Sequence, residues 1–319
     1  MAIAQSIDKN PTELDDVPGW FPPLDQLLFT WFLERQEKGG FRGDLVELGV
    51  YMGRSAILLG RHRQDDEEFT VCDLFGGEAP DGANQAETAK SYSSLSRQAF
   101  ERNYLSFHDT LPRVLEAPSS VISSEVKPGT CRFVHIDASH LYEHVRDDIG
   151  AARDLLLPEG VVVLDDFRSE HTPGVSVATW EAVLNRGLRP ICLSTQKLYG
   201  TWGDPEPVQE ELLVMLEERT DIGLSVQDAA GHRLVRARAN KGLQAPPFPH
   251  SRHYTPPEPQ QPAAPAPTPA AVPAPAAVPA PASVPAPRRP RSRARRIGVD
   301  LMPPILTRAV RRTLANRSR

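Results

Sequence analysis

Five carboxylates and a histidine stand at or just beyond the ends of apolar runs in this chain. Glu47-x-Gly49-x-x-x-Gly53 closes the run Asp44–Val50 and precedes a helical stretch. Glycine lets a backbone bend, and approach a ligand, without a Cβ in the way. Asp73 closes the next run, 20 residues after Gly53. A carboxylate there can accept hydrogen bonds from both hydroxyls of a ribose. Either feature alone would read as a glycine turn or a solvated aspartate. A dinucleotide loop reads GxGxxG and a P-loop ends in GK[ST], whereas this bend has Gly49 and Gly53 and no lysine. The pair points to a nucleoside without a pyrophosphate.

The other acids fall further along. Asp137 ends Cys131–Asp137, and Asp165 and Asp166 end Gly160–Asp166. On adjacent parallel strands these ends would lie about 5 Å apart. Carboxylates that close repel one another unless protonated or bound to a cation. Mg²⁺ takes one or two carboxylates together with waters and substrate. The expected metal set is Asp137, Asp165 and Asp166, set against the simpler role of an aspartate capping its turn. His140 follows Asp137 by three residues. It can act as a general base, because imidazole titrates near neutral pH, or as a hydrogen-bonded cap; the spacing leaves both open. His171, in the loop after Asp166, is a second candidate base. His135, inside a strand, is expected to be structural, and Tyr142 to pack.

The elements that must position these groups alternate. Trp20–Gln36 reads as a helix with one apolar face, ended by Gly39, Gly40 and Gly43. Strands are expected at Asp44–Val50, Phe69–Asp73, Arg113–Glu116, Cys131–Asp137 and Gly160–Asp166. Helices are expected at Arg54–Arg63, Ser91–Tyr104, the stretch carrying Val145, Ile149, Ala152 and Leu156, and Val175–Arg186. A hairpin from Leu188–Leu193 to Lys197–Trp202, a helix at Val208–Glu218 and a hairpin around Gly231 follow. Strand, helix, strand at this rhythm implies parallel strands with helical crossovers. Ligands then sit beyond the strands' carboxyl ends, where the five carboxylates fall.

Composition divides the chain. Of 32 prolines in 319 residues, 17 lie between Pro246 and Pro290, a Pro/Ala spacer that cannot pack a core. From Ala286 to Arg319 there are 11 arginines and one acid, so the net charge of −5 conceals an acidic body and a basic tail. That tail, with apolar Ile305–Leu314, fits an anionic membrane surface or an acidic partner, or a solubilising extension. Nucleic acid is disfavoured, since no aromatics interleave the arginines. Cys72, Cys131 and Cys192 lie in apolar runs and read as reduced buried thiols. No signal segment or apolar run of 18 is present, so a cytoplasmic protein, peripheral to the membrane's inner face if the tail docks there, is expected.

The quoted residues also resemble a known family. Glu47-x-Gly49-x-x-x-Gly53 with Asp73 looks like the first two motifs of class I S-adenosylmethionine-dependent methyltransferases. The phrases Gly43–Tyr51, Ile136–Glu143 and Asp165-Asp166-Phe167 are similar to small-molecule O-methyltransferases of the macrocin O-methyltransferase group, over roughly residues 40–205. The resemblance implies that Glu47, Gly49 and Gly53 shape the methionine pocket, with Ser55 near its carboxylate, Asp73 on the ribose and Ser119 beside the adenine. It implies Mg²⁺ on Asp137, Asp165 and Asp166, and proton removal from an acceptor hydroxyl by His140 or Asp137. The acceptor would be a sugar or secondary metabolite. The implied fold is a Rossmann-like, doubly wound, mostly parallel seven-stranded sheet with an antiparallel C-terminal hairpin strand, followed by a disordered tail. Expected divisions are 1–19 flexible, 20–243 catalytic, 244–290 linker and 291–319 basic tail. A nicotinamide-dependent oxidoreductase would need a third glycine near the bend. A nucleoside-binding or tethering protein without turnover is the rival from outside enzymology. A looser likeness to cephalosporin hydroxylase-like relatives leaves the transferred group less secure than the cofactor.

Overall fold

A computed structural model describes residues 10–77, 82 and 95–256. Most of the Pro/Ala spacer and the whole basic tail, with its membrane or partner contact, lie outside the described residues. So do Ser91 to Ser94 of the helix expected at Ser91–Tyr104, which is observed at Arg97–Phe107.

The chain enters through a helix, α1 (Pro23–Lys38), that starts with proline at its first position, where the missing N–H costs nothing. Its buried Leu24, Leu28, Phe29, Phe32 and Leu33 recur at helical spacing. Then follow β1 (Asp44–Leu48), α2 (Arg54–Arg61), β2 (Phe69–Asp73), α3 (Arg97–Phe107), β3 (Arg113–Glu116) and a short α4 (Ile122–Glu125). The second half holds β4 (Cys131–Ile136), α5 (Tyr142–Leu155), β5 (Leu156–Leu164), α6 (Pro173–Asn185), β6 (Arg189–Leu193), β7 (Leu198–Thr201), α7 (Glu206–Glu217), β8 (Ile222–Ala229) and β9 (His232–Ala239).

The strands form one sheet in the order β3-β2-β1-β4-β5-β7-β6-β9-β8. The first five run parallel, and β7 enters antiparallel between β5 and β6. The sheet has nine strands rather than the expected seven. The hairpin around Gly231 adds to the edge, with Cys192 and Leu193 of β6 pairing Val235 and Arg236 of β9. Strand alternation sends Leu45, Val71, Phe133 and Val163 to one face, under α1, α2 and α7. Val46, Cys72, Val134 and Val162 go to the other, under α5 and α6. All three cysteines are free and buried. Burying Phe29 and Phe32 contributes roughly 1.5–3 kcal/mol each. Phe29 meets the rings of Phe133, His135 and Tyr199.

Described residues at both margins of the expected catalytic stretch lie against the body. The Ser251 N–H donates to Thr12 O at 2.9 Å, and the Arg252 N–H to Ser106 O at 2.9 Å. Among the described residues, no helix is long and apolar enough to cross a membrane.

Candidate functional site

Among the described residues, three of the four non-glycine residues with positive φ follow strand ends: Tyr51 (48°) after β1, Phe75 (48°) after β2 and Asp166 (53°) after β5. Such conformations cost on the order of 1–3 kcal/mol each and cluster where function demands them. All three lie at the carboxyl end of the sheet, with the predicted chemistry.

The glycine bend is required sterically. Gly49 has φ 78°, and a Cβ on it would stand 2.0 Å from the Asp137 carbonyl oxygen. Gly53 has φ 95°, and its Cβ would meet Phe100 at 3.0 Å. The bend is thus drawn against the loop after β4. Asp73 secures it from the other side. One Asp73 oxygen accepts the N–H groups of Val50 (2.8 Å) and Tyr51 (3.0 Å), and the other that of Phe75 (2.7 Å). A carboxylate has about four acceptor positions, so roughly one is left for a ligand. Burial pushes the Asp73 carboxyl above its ordinary value; the Glu47 charge adds to this and the three N–H bonds oppose it. Ser55 is half-buried in the first turn of α2. Arg54, beside it, donates to the carbonyls of Val17 (2.5 Å) and Asp15 (2.7 Å). Those bonds draw residues 15–17 towards the bend.

Glu47 and His135 are register partners on neighbouring strands, and both side chains lie on the α1 face. Glu47 Oε1 and His135 Nδ1 are 2.7 Å apart, both groups fully buried. His135 Nε2 lies 3.7 Å from Asp165 Oδ2, and that oxygen bears directly on the Lys197 ammonium. A four-residue ionic chain therefore crosses β1, β4, β5 and the start of β7. Two of its atoms, Glu47 Oε2 and His135 Nε2, are buried with no hydrogen-bond partner. A buried acceptor without a donor is costly, and Glu47 Oε2 suits a cationic donor such as the ammonium of a methionine moiety.

Asp137, Asp165 and Asp166 do not share one focus. Asp165 spends one oxygen on the Asp166 N–H (2.7 Å) and the other on Lys197. Asp166 accepts from Ser169 Oγ (2.5 Å) and lies 3.2 Å from His140 Nε2. The set that converges is His135, Asp137 and Asp165, each offering an atom within 4.8 Å of the others. Among the described residues, only Asp137 of the three acids has both oxygens outside any hydrogen bond or ion pair. One such carboxylate, beside an ammonium and a histidine already held by Glu47, is a poor fit to the near-octahedral oxygen shell of Mg²⁺.

His140 and Asp166 form a pair at the strand ends, with the His171 ring 6.2 Å from that of His140. Burial alone would raise the Asp166 carboxyl. The bonds to His140 and Ser169, and the charges of His140 and His171, outweigh it and hold the group below its ordinary value. Burial dominates at Asp137 and pushes its carboxyl up, against the pull of Lys197 and His135. Ser119 is half-buried after β3 and hydrogen-bonds Asp148 of α5. Tyr142 packs, donating to Glu181 of α6 at 2.5 Å. Sequence reasoning treated His135 as structural and Lys197 only as the start of a strand. A lysine inside the apolar hairpin Cys192–Gly200 was the available signal, because a buried lysine demands an acid.

Residues 46–167 match the family described as a methyltransferase domain. No curated protein matches the chain. Among solved structures, the chain is similar to the O-methyltransferase NovP, at 21% identity over 56% of this chain and 81% of that one, with a TM-score of 0.43. It is also similar to CalS11, a TDP-rhamnose 3'-O-methyltransferase of calicheamicin biosynthesis (17%, 58% and 82%, TM-score 0.39). A third is TomG from Streptomyces achromogenes, an O-methyltransferase of tomaymycin synthesis solved with S-adenosylmethionine (16%, 69% and 79%, TM-score 0.33). The family match spans the glycine bend, Asp73, His140 and the acids after β5, and it marks residues 46–167 as similar to a methyltransferase domain.

Proposed function

We propose that the chain methylates a hydroxyl oxygen of a small-molecule acceptor, a sugar or another secondary metabolite, with His140 as the base. When bound, S-adenosylmethionine supplies a methyl group already activated on a sulfonium. The protein's work is then placement and proton removal. Glu47 takes the methionine ammonium, the bend from Gly49 to Gly53 with Ser55 takes its carboxylate end, and Asp73 takes a ribose hydroxyl. Ser119 borders the adenine. Asp166 orients the His140 ring. The imidazole would take the acceptor's hydroxyl proton, and bound S-adenosylmethionine would supply the methyl group to that oxygen.

The observation that carries this reading is the His140–Asp166 pair, 3.2 Å apart at the strand ends. An aromatic contact at the bend supports the same reading. Trp20 is 66% exposed, and its ring lies 5.6 Å from that of Tyr51 on the bend. An exposed indole beside a half-buried tyrosine suits the apolar face of a sugar or a flat ring.

The test uses methyl-labelled S-adenosylmethionine and a panel of glycosides and phenols. Label should appear as an alkali-stable ether on one acceptor class. His140→Asn should lower kcat roughly 10²–10⁴-fold while cofactor affinity by calorimetry stays unchanged. Full turnover in that variant would remove His140 from the scheme, and label recovered on nitrogen or carbon would remove oxygen as the acceptor atom.

A further inference from the structure

Lys197 is only 1% exposed, yet its ammonium bears on an acid at the carboxyl end of the sheet. Its place is well defined. Ser194 and Lys197 close a tight turn between β6 and β7, with the Ser194 N–H on Lys197 O at 2.9 Å and the Lys197 N–H on Ser194 Oγ at 3.0 Å. The Phe21 ring lies 5.9 Å from Nζ, within cation–π range. Two separate elements therefore present a single positive charge to the group that converges, His135, Asp137 and Asp165. Clustered carboxylates need a cation to stay ionised together, and here the chain supplies one from its own sequence.

We propose that Lys197 is the resident cation of the acceptor site, standing where a divalent ion would otherwise be held, so that methyl transfer proceeds without a metal. Lys197 is a positioning residue. It holds Asp165 through an ion pair and offsets the negative charge of Asp137, which leaves Asp166 to orient His140. The inference rests on reading the strand ends as the methyl-transfer site. That reading is checked in the same samples by S-adenosylmethionine calorimetry, whose failure would count against the reading and not against Lys197.

The test is Mn²⁺ binding by the full chain, followed from the free-ion signal in electron paramagnetic resonance. The wild type should bind no stoichiometric Mn²⁺. Lys197→Met removes the competing charge and should bind at least tenfold more tightly than wild type, with Asp137→Asn in that background abolishing the gain. Lys197→Arg should stay silent like wild type. If Lys197→Met does not fold, Lys197→Gln puts a shorter, uncharged amide donor at the same position. One equivalent of Mn²⁺ on the wild type, lost in Asp137→Asn, overturns the proposal. So does a folded Lys197→Met or Lys197→Gln chain that binds cofactor yet gains no Mn²⁺.

Discussion

Strand β4 carries a buried ionic network at each end, and the two are built to opposite rules. At the amino end Arg132, fully buried, makes four hydrogen bonds. Its Nε and Nη2 grip the two oxygens of Glu67 at 2.7 and 2.8 Å, Nη1 reaches Gln36 Oε1 at 2.9 Å, and Nη2 also reaches His62 O at 2.6 Å. Glu67 in turn accepts the N–H groups of Gly43 and Gln64. Three residues along the same strand, His135 joins Glu47, Asp165 and Lys197, and there Glu47 Oε2 and His135 Nε2 have no hydrogen-bond partner. A closed network anchors the fold, whereas an open one keeps polar capacity for something that arrives. Backbone strain follows the same division: Tyr51, Phe75 and Asp166 all lie at the open end.

The comparison breaks first at Arg132. Removing one member of a buried ion pair strands the other and costs about 3–5 kcal/mol. Arg132→Met should therefore lower unfolding free energy by that amount in urea denaturation, the largest stability effect expected here. Folded protein at low temperature should still bind S-adenosylmethionine normally. A loss below 1 kcal/mol, or a selective loss of cofactor binding, would erase the distinction between the two ends.

Asp148 extends the open side to α5. It is 3% exposed, Ser119 hydrogen-bonds it, and its Oδ2 has no partner. Burial pushes its carboxyl up to about 6, against the Ser119 bond and the His144 charge. Between the ordinary value near 3.8 and about 6, the folded state therefore binds more proton than the unfolded state. Stability should fall as pH rises through that window and stay reduced above it. A shift of this size is worth at most about 3 kcal/mol. Asp148→Asn keeps an oxygen for Ser119 and should flatten the profile between pH 4 and 6 while stabilising the chain at pH 7. Denaturation midpoints at pH 4.5, 5.5 and 7 that keep the wild-type slope would rule Asp148 out as the source.

Much of this division was legible before any coordinates. The apolar runs Cys131–Asp137 and Gly160–Asp166 announced neighbouring parallel strands, and Glu47, Gly49, Asp73 and Asp137 lie at strand ends as expected. Strand count was less legible. Ile222–Ala229 alternates weakly and is mostly open to solvent, so nothing in its pattern shows that its hairpin joins the main sheet. The direction of the acids was not legible at all. Adjacent aspartates such as Asp165 and Asp166 share a strand end, but the positive φ of Asp166 sends the two side chains to different partners, Lys197 and His140. Both partners follow from tertiary packing across 26 and 32 residues, which spacing does not encode.

Glu47 sharpens the comparison most closely, because it has a counterpart at the closed end in Glu67. Glu67 is held by Arg132 and two backbone N–H groups, which pull its carboxyl below the ordinary range against the opposing effect of burial. Among the described residues, Glu47 has only the His135 bond. Exchanging either acid for glutamine keeps size and shape and removes a charge. At Glu67 the amide turns a donor towards Arg132, and stability should drop with cofactor affinity intact. At Glu47 the amide keeps an acceptor for His135 and turns no donor against an existing cation, so stability should change less than at Glu67. What Glu47→Gln should lose is a charge-assisted bond to the cofactor's ammonium, worth about 1.5–3 kcal/mol, or roughly ten- to hundredfold in affinity. Calorimetry with S-adenosylmethionine, paired with urea denaturation of both variants, reads the two outcomes separately. Equal affinity in wild type and Glu47→Gln would mean that the open oxygen serves some other donor, and the methionine end of the cofactor would then have to be placed elsewhere along the bend.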